Sequence, residues 1–162
     1  IMQDLDLYLA FTSVSWWQAY NNDISSPFRE TNYEPEVILS YQKPIEVLGT
    51  TIDHSYLSIN HESNGKSGDL SRGWNRIIGA VSWINDTVSV GVKAWWRIPE
   101  NGYNSSGRPV DDNPNIEKYL GNGELSLLWH ISNKHNINFM IRNNLKSDKY
   151  SVQLVFYTNQ NH

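Results

Sequence analysis

The chain contains no cysteine, which excludes disulfides, thiolate metal sites and a cysteine nucleophile. It also has no apolar run near the roughly 18 to 20 residues that a membrane-crossing helix needs. A mean hydropathy of -0.54 likewise excludes a helical membrane bundle. Lys and Arg, 13 in all against 17 Asp and Glu, are dispersed along the 162 residues and leave a net charge of -4. A nucleic-acid groove or a basic lipid-binding helix therefore has no support. Helical periodicity is hard to find. What the chain does have is aromatic residues, seven Trp and nine Tyr, and a two-residue alternation that runs from end to end.

The alternation starts with Leu5, Leu7, Leu9 and Phe11 set against Asp4, Asp6, Tyr8 and Ala10. After a polar segment over 21–31, Tyr33, Pro35, Val37, Leu39 and Tyr41 form the apolar side of a second strand, with 42–50 as its connection. A third strand leads to His61 and Ser63, and a fourth runs from Trp74 to Trp83 after the loop 64–73. A fifth sets Val88, Val90, Val92, Ala94, Trp96 and Ile98 against a face carrying Lys93 and Arg97. The loop 99–114 comes next, then a sixth strand reaching from Tyr119 to His130, a seventh over Ile137 to Arg142 and an eighth over Ser151 to Tyr157.

The polar faces hold Lys93, Arg97, Lys118, Glu124 and Arg142, which suits a wet, ion-paired interior better than a dry core. Long Gly/Ser/Asn/Asp-rich loops alternate with the short turns at 84–86 and 131–136. Strands of about ten residues with aromatics near their ends complete the pattern of an all-β, transmembrane, antiparallel up-and-down β-barrel. A soluble, lipocalin-like barrel with the apolar face inward has the same period and stays open as an alternative. The pattern is already strand-like by Leu5 and stops just after another strand. Residues 1–162 are therefore expected to be one β-barrel domain, incomplete at both ends.

The odd stretch is 57–77. Leu57, Ile59, His61 and Ser63 share one strand face, and Asn75, Ile77, Val81 and Trp83 share a face of the next strand. Three polar residues thus close an apolar wall near the loop that joins the two strands. Ser63 lies two residues beyond His61 on one face, with Cβ atoms about 6 to 7 Å apart, within reach for a nucleophile and its base. Asn75 on the neighbouring strand can accept from the other imidazole nitrogen and fix the tautomer, as the third member of a triad does. Taken singly, a Ser or Asn beside a loop is a turn residue and a lone His is structural. Together they face an apolar surround in which an unpaired polar group costs about 1 to 3 kcal/mol.

Five blocks, in order, carry a resemblance. They are Ser15-Trp16-Trp17-Gln18, the run from Ser25 to Pro35, His-Glu-Ser-Asn-Gly-Lys-Ser at 61–67, Ser-Arg-Gly-Trp-Asn-Arg at 71–76, and Asp-Asp-Asn-Pro-Asn-Ile-Glu-Lys-Tyr at 111–119. From Ser15 to about Tyr119 the chain resembles the bacterial outer membrane phospholipase A family. The resemblance implies a twelve-stranded barrel, of which about eight strands are present here, crossing the bacterial outer membrane many times. It implies hydrolysis of phospholipid acyl esters (phospholipase A1/A2 type), calcium dependence and a homodimer with its active sites on the outside. The alternative is a porin-like or structural outer-membrane barrel without turnover.

Carried over by motif, Ser63 matches the nucleophile, His61 the base and Asn75 the orienting residue. Calcium ligands fall on the Lys66 carbonyl, the Ser71 hydroxyl, Asp112 and, from the other subunit, Ser25, while the Gly65 amide helps hold the oxyanion. Oxygen donors of this kind suit calcium. The chain departs from the pattern in having Lys66 where Arg is common, Gly68-Asp69 with the loop acid moved by one position, and Ser13 where a Gln can bond across the dimer. With about eight strands it is not expected to fold alone into an active enzyme, since an open barrel edge is not viable in lipid.

Overall fold

The computed structural model describes residues 4–103, 107, 109–111, 113–144 and 149–158. Its strands are β1 (Leu5–Trp17), β2 (Phe28–Tyr41), β3 (Ile45–Val47), β4 (Thr50–Ile52), β5 (His54–Ser63), β6 (Gly73–Ile84), β7 (Val88–Ile98), β8 (Gly123–His130), β9 (His135–Asn143) and β10 (Tyr150–Thr158), with one short helix, α1 (Ile116–Leu120). Eight strands form one sheet in the order β1-β2-β5-β6-β7-β8-β9-β10, and β3 and β4 make a separate two-stranded hairpin. Each strand of the large sheet is antiparallel to the next, so the sheet is an up-and-down meander.

The sheet is inverted relative to a soluble protein. Along β5, Leu57 and Ile59 are 55% and 62% exposed, while Ser58 and Asn60 between them are 3% and 2% exposed. Leu7, Leu9 and Phe11 on β1, Val37 and Leu39 on β2, and Leu125 and Leu127 on β8 repeat the outward apolar pattern. The alternative with the apolar face inward, a soluble lipocalin-like barrel, is therefore excluded.

The interior is polar and organised around Arg76. Its guanidinium donates to Asn60 Oδ1 at 2.6 and 3.0 Å, to Glu34 at 2.6 Å and to Glu62 at 3.2 Å. It also lies 4.1 Å from the centroid of the Trp74 ring, a cation-π contact. Trp74 Nε1 and Asn32 Nδ2 complete Glu62, each at 2.9 Å. A small apolar cluster of Trp74, Ile78 and Trp95 sits among these groups and packs against Ile116 and Leu120 of α1. Gly121 ends that helix at φ +75°, and a Cβ there would meet the Asn143 carbonyl oxygen at 2.2 Å, so only glycine fits.

Three expectations need correction. The sixth strand does not reach back to Tyr119: residues 116–120 are helical, and β8 starts at Gly123 after the Gly121 turn. Lys118 is accordingly a helix residue and not part of a strand face. β2 begins at Phe28, inside the segment read as loop, because Phe28 pairs with Trp17 and extends the β1–β2 ladder toward the connection. The connection read as 42–50 is instead built around the β3–β4 hairpin, which runs on to Ile52. The connections that leave β1, β5 and β7 do start at one end of the sheet, and the short turns at 85–87 and 131–134 lie at the other.

Candidate active site

Strand alternation delivers His61 and Ser63 to the outer face at the long-loop end of β5, and the register pairs His61 with Asn75 and Ser63 with Gly73. His61 Nδ1 and Asn75 Oδ1 are 2.8 Å apart. An amide oxygen only accepts, so this bond places the proton on Nδ1 and leaves the Nε2 lone pair free. Among the described residues Ser63 makes no side-chain hydrogen bond, and nothing on its paired neighbour Gly73 projects over it. A long or absent nucleophile–base bond is ordinary before substrate arrives. Asn75 Nδ2 donates in turn to Glu100 Oε1 at 2.5 Å, a partner that strand alternation does not reveal.

The loop after Ser63 is pinned by another residue that the motifs leave without a role. Asn64 is buried, and its Nδ2 donates to Glu30 Oε1 at 2.6 Å and to the Leu70 carbonyl at 2.9 Å. Its Oδ1 accepts the backbone N–H groups of Lys66 at 3.2 Å and Arg72 at 3.0 Å. Lys66 Nζ reaches Glu30 Oε2 at 3.3 Å. Gly65 has φ +66°, a conformation that favours glycine and turns its backbone out of the strand direction directly after the serine. The Asn-Gly dipeptide is the signal of this turn in the sequence, since such pairs mark tight turns.

Of the residues expected to bind calcium, Lys66 and Ser71 lie in the 64–72 loop and Ser25 in the β1–β2 loop, at the same end of the sheet. The Lys66 carbonyl and the Ser71 hydroxyl take no hydrogen bond from the described residues, although Ser71 N–H closes on the Gly68 carbonyl at 3.1 Å. Two unclaimed oxygens in a loop pinned by Asn64 fit a hard cation. Among the described residues no three His, Asp or Glu side chains cluster to hold a metal, so a site here has to draw on carbonyl and hydroxyl oxygens. Asp112 lies outside the described residues. Its neighbours are fixed from the barrel interior: Arg97 Nη2 meets Asp111 Oδ2 at 2.6 Å, and Asp111 Oδ1 accepts the Asn113 N–H at 3.1 Å. Ser25, exposed and left-handed at φ 61°, sits in the β1–β2 loop. No hydrogen bond joins it to Ser71 among the described residues. Ser13, paired with Tyr33, is exposed on β1.

Known proteins resemble this chain in sequence and in fold. The chain is 38% identical over 122 residues to phospholipase A1 of Escherichia coli K12, which covers 75% of this chain and 39% of that protein. It is 30% identical over 153 residues to a putative phospholipase A1 of Neisseria meningitidis, 93% of this chain and again 39% of the relative. The chain thus spans about two fifths of the length of the curated relatives it matches. The solved outer membrane phospholipase A of Escherichia coli superposes with a TM-score of 0.77 at 32% identity, covering 94% of this chain and 60% of that one. A Salmonella typhi outer membrane phospholipase dimer with bound calcium superposes at 0.78, also at 32% identity, with 94% and 56% covered. The phospholipase A1 family model matches residues 1–161, and the chain belongs to that family.

Proposed function

We propose that this chain carries the catalytic face of an outer-membrane phospholipase that cleaves acyl esters of phospholipids, with Ser63, His61 and Asn75 as its triad. The observation that supports it most directly is the 2.8 Å His61–Asn75 bond on an outward apolar wall, with Ser63 on the same face. A site on such a wall meets acyl chains where they lie, and its substrate need not leave the bilayer. The unpaired outer edges of β1 and β10 need partners in lipid, so the working barrel includes further strands.

In the reaction Ser63 Oγ attacks the ester carbonyl carbon while His61 Nε2 takes its proton. Collapse breaks the ester C–O bond, and the proton on Nε2 passes to the departing lysophospholipid oxygen. Water, deprotonated by the same nitrogen, then releases the fatty acid and restores Ser63. The Gly65 N–H is the backbone donor placed beside the serine for the oxyanion. The Lys66 carbonyl, the Ser71 hydroxyl and Asp112, with Ser25 of the partner subunit, would hold calcium. When bound, calcium supplies positive charge where negative charge develops. The Salmonella typhi relative is a calcium-bound dimer, and the proposal extends that homodimeric state to this protein.

The test uses the full-length protein folded in detergent–phospholipid micelles. Fatty acid release should require calcium and vanish with chelator, and Ser63→Ala should abolish it while the barrel stays folded. A serine-directed sulfonyl reagent should label Ser63 alone. Calcium-independent release, labelling that persists in Ser63→Ala, or a folded barrel with no turnover would overturn the reading.

A further inference from the structure

Asn75 is a neutral third member, and its amide could face the imidazole either way round. An oxygen turned to Nδ1 sets the productive tautomer. An NH2 turned to Nδ1 would demand a lone pair there and put the proton on Nε2, disabling the base. Something outside the three residues has to fix the amide. Glu100, in the loop two residues past the end of β7, does so: its Oε1 lies 2.5 Å from Asn75 Nδ2, and a carboxylate accepts from NH2 and not from an amide oxygen. The β6–β7 ladder fixes this placement, because Asn75 pairs with Ile98, two positions before Glu100. The neighbouring charges on β5 and β6, Glu62 and Arg76, are bonded to each other and to interior partners. Among the described residues Glu100 is thus the acidic group bonded to the outward-facing pair.

A second His–Asn pair in the same chain sharpens the point. His130 Nδ1 lies 3.0 Å from Asn136 Oδ1 across the β8–β9 ladder, the same cross-strand arrangement. No carboxylate stands behind Asn136 among the described residues, and Ser132, two residues past His130, lies in the turn after β8, where its hydroxyl oxygen accepts the N–H groups of Lys134 and His135. His–Asn pairing alone is a strand-end motif; the added carboxylate is what separates the candidate site from its copy.

We propose that Glu100 is a positioning residue for phospholipid hydrolysis, extending the catalytic relay to Ser63–His61–Asn75–Glu100, an inference that rests on the triad reading above. Glu100 locks the Asn75 amide with its oxygen on the imidazole. It also returns, through one polarised amide, the negative charge that a neutral third member lacks when His61 becomes an imidazolium.

The experiment is a charge-exchange cycle in the full-length enzyme, with folding checked by heat-modifiable gel mobility. Glu100→Gln, which is isosteric, should lower kcat about 10- to 100-fold with KM little changed, less than the ~10⁴-fold loss caused by a wrong tautomer. Glu100→Asp should recover part of that loss. In an Asn75→Asp background the sign should reverse. There Glu100 faces a second carboxylate, and two such groups at hydrogen-bond distance oppose each other's ionisation. Adding Glu100→Gln then rebuilds the bond with its roles exchanged, so the double variant should exceed Asn75→Asp alone by about 10-fold or more, within the range of general-base contributions. A role in loop packing would give the same loss in both backgrounds. That result, or an unchanged kcat in Glu100→Gln, overturns the assignment. If Ser63→Ala abolishes turnover while the Glu100 variants behave like the parent, only this inference fails. If Ser63→Ala retains turnover, the triad reading fails first.

Discussion

Asn64 and Arg72 bond each other twice: the Asn64 N–H donates to the Arg72 carbonyl at 3.0 Å, and the Arg72 N–H donates to Asn64 Oδ1 at 3.0 Å. This closes the 64–72 loop at its neck directly after Ser63. The loop contains Gly65 and Lys66 near its start and Ser71 near its end, so the neck sets how far apart the proposed oxyanion donor and the oxygens proposed to bind calcium stand.

Asn64→Ala should therefore impair activity without unfolding the barrel. It removes four hydrogen bonds made by one buried side chain and leaves Glu30 without its shortest partner. Each such bond contributes about 0.5 to 1.5 kcal/mol, so the loop should loosen while the strand ladders persist. Calcium titration of turnover is the measurement. The half-maximal calcium concentration should rise in Asn64→Ala, and an unchanged titration curve would mean the neck does not set the site.

Asn75→Ala should lower the rate by a factor of order 10 to 10³, a smaller loss than Ser63→Ala or His61→Ala, because a neutral orienting residue contributes less than the ~10⁴ of a buried Asp. Initial rates of fatty acid release rank the three variants. If Asn75→Ala is folded and as inactive as Ser63→Ala, the residue does more than orient.

Arg76 is ion-paired with two interior carboxylates, Glu34 and Glu62, and itself lies almost wholly out of solvent. Arg76→Ala strands both, and removing one partner of a buried ion pair costs about 3 to 5 kcal/mol. Arg76→Lys keeps the charge but loses the planar fork that spans Asn60 and the two acids, so it should fall between. Urea titration of the folded full-length barrel in lipid gives the order. Equal stability of parent and Arg76→Ala would show that the interior network does not hold the barrel.

The architecture is legible in the sequence because period-two alternation is written along every long strand, and a reversed apolar face shows only in what the other face carries. Arg97, Glu124 and Arg142 on those other faces give the direction. α1 is hidden because Tyr119 continues the apolar spacing of Leu125, Leu127 and Trp129, while the break is set by Gly121 closing against Asn143, a contact far away in sequence. His61, Ser63 and Asn75 are legible from alternation plus pairing of adjacent strands. Glu100 and Asn64 are not, since a loop residue's partner depends on the path the loop takes. Alternation constrains strands and is silent about the chain beyond Ile98 until the next strand begins.

Calcium and subunit pairing should be one equilibrium if the site spans the interface. Ser71 is assigned to bind calcium in its own subunit and Ser25 in the other, and in this chain the two sit in separate loops. A ligand that binds only the assembled state stabilises that state, and the coupling is reciprocal. Loss of either hydroxyl should then raise the calcium needed for activity and weaken calcium-dependent dimerisation together, as followed by turnover and by crosslinking. Mixing subunits separates this from a defect confined to one chain. A dimer of one Ser63→Ala subunit and one Ser25→Ala subunit has one site with both serines, the Ser63 of one chain and the Ser25 of the other. At a calcium concentration where Ser25→Ala homodimers are silent, the mixture should regain activity, although neither parent variant has any. Mixed dimers that form and stay silent would place the whole calcium site within a single subunit.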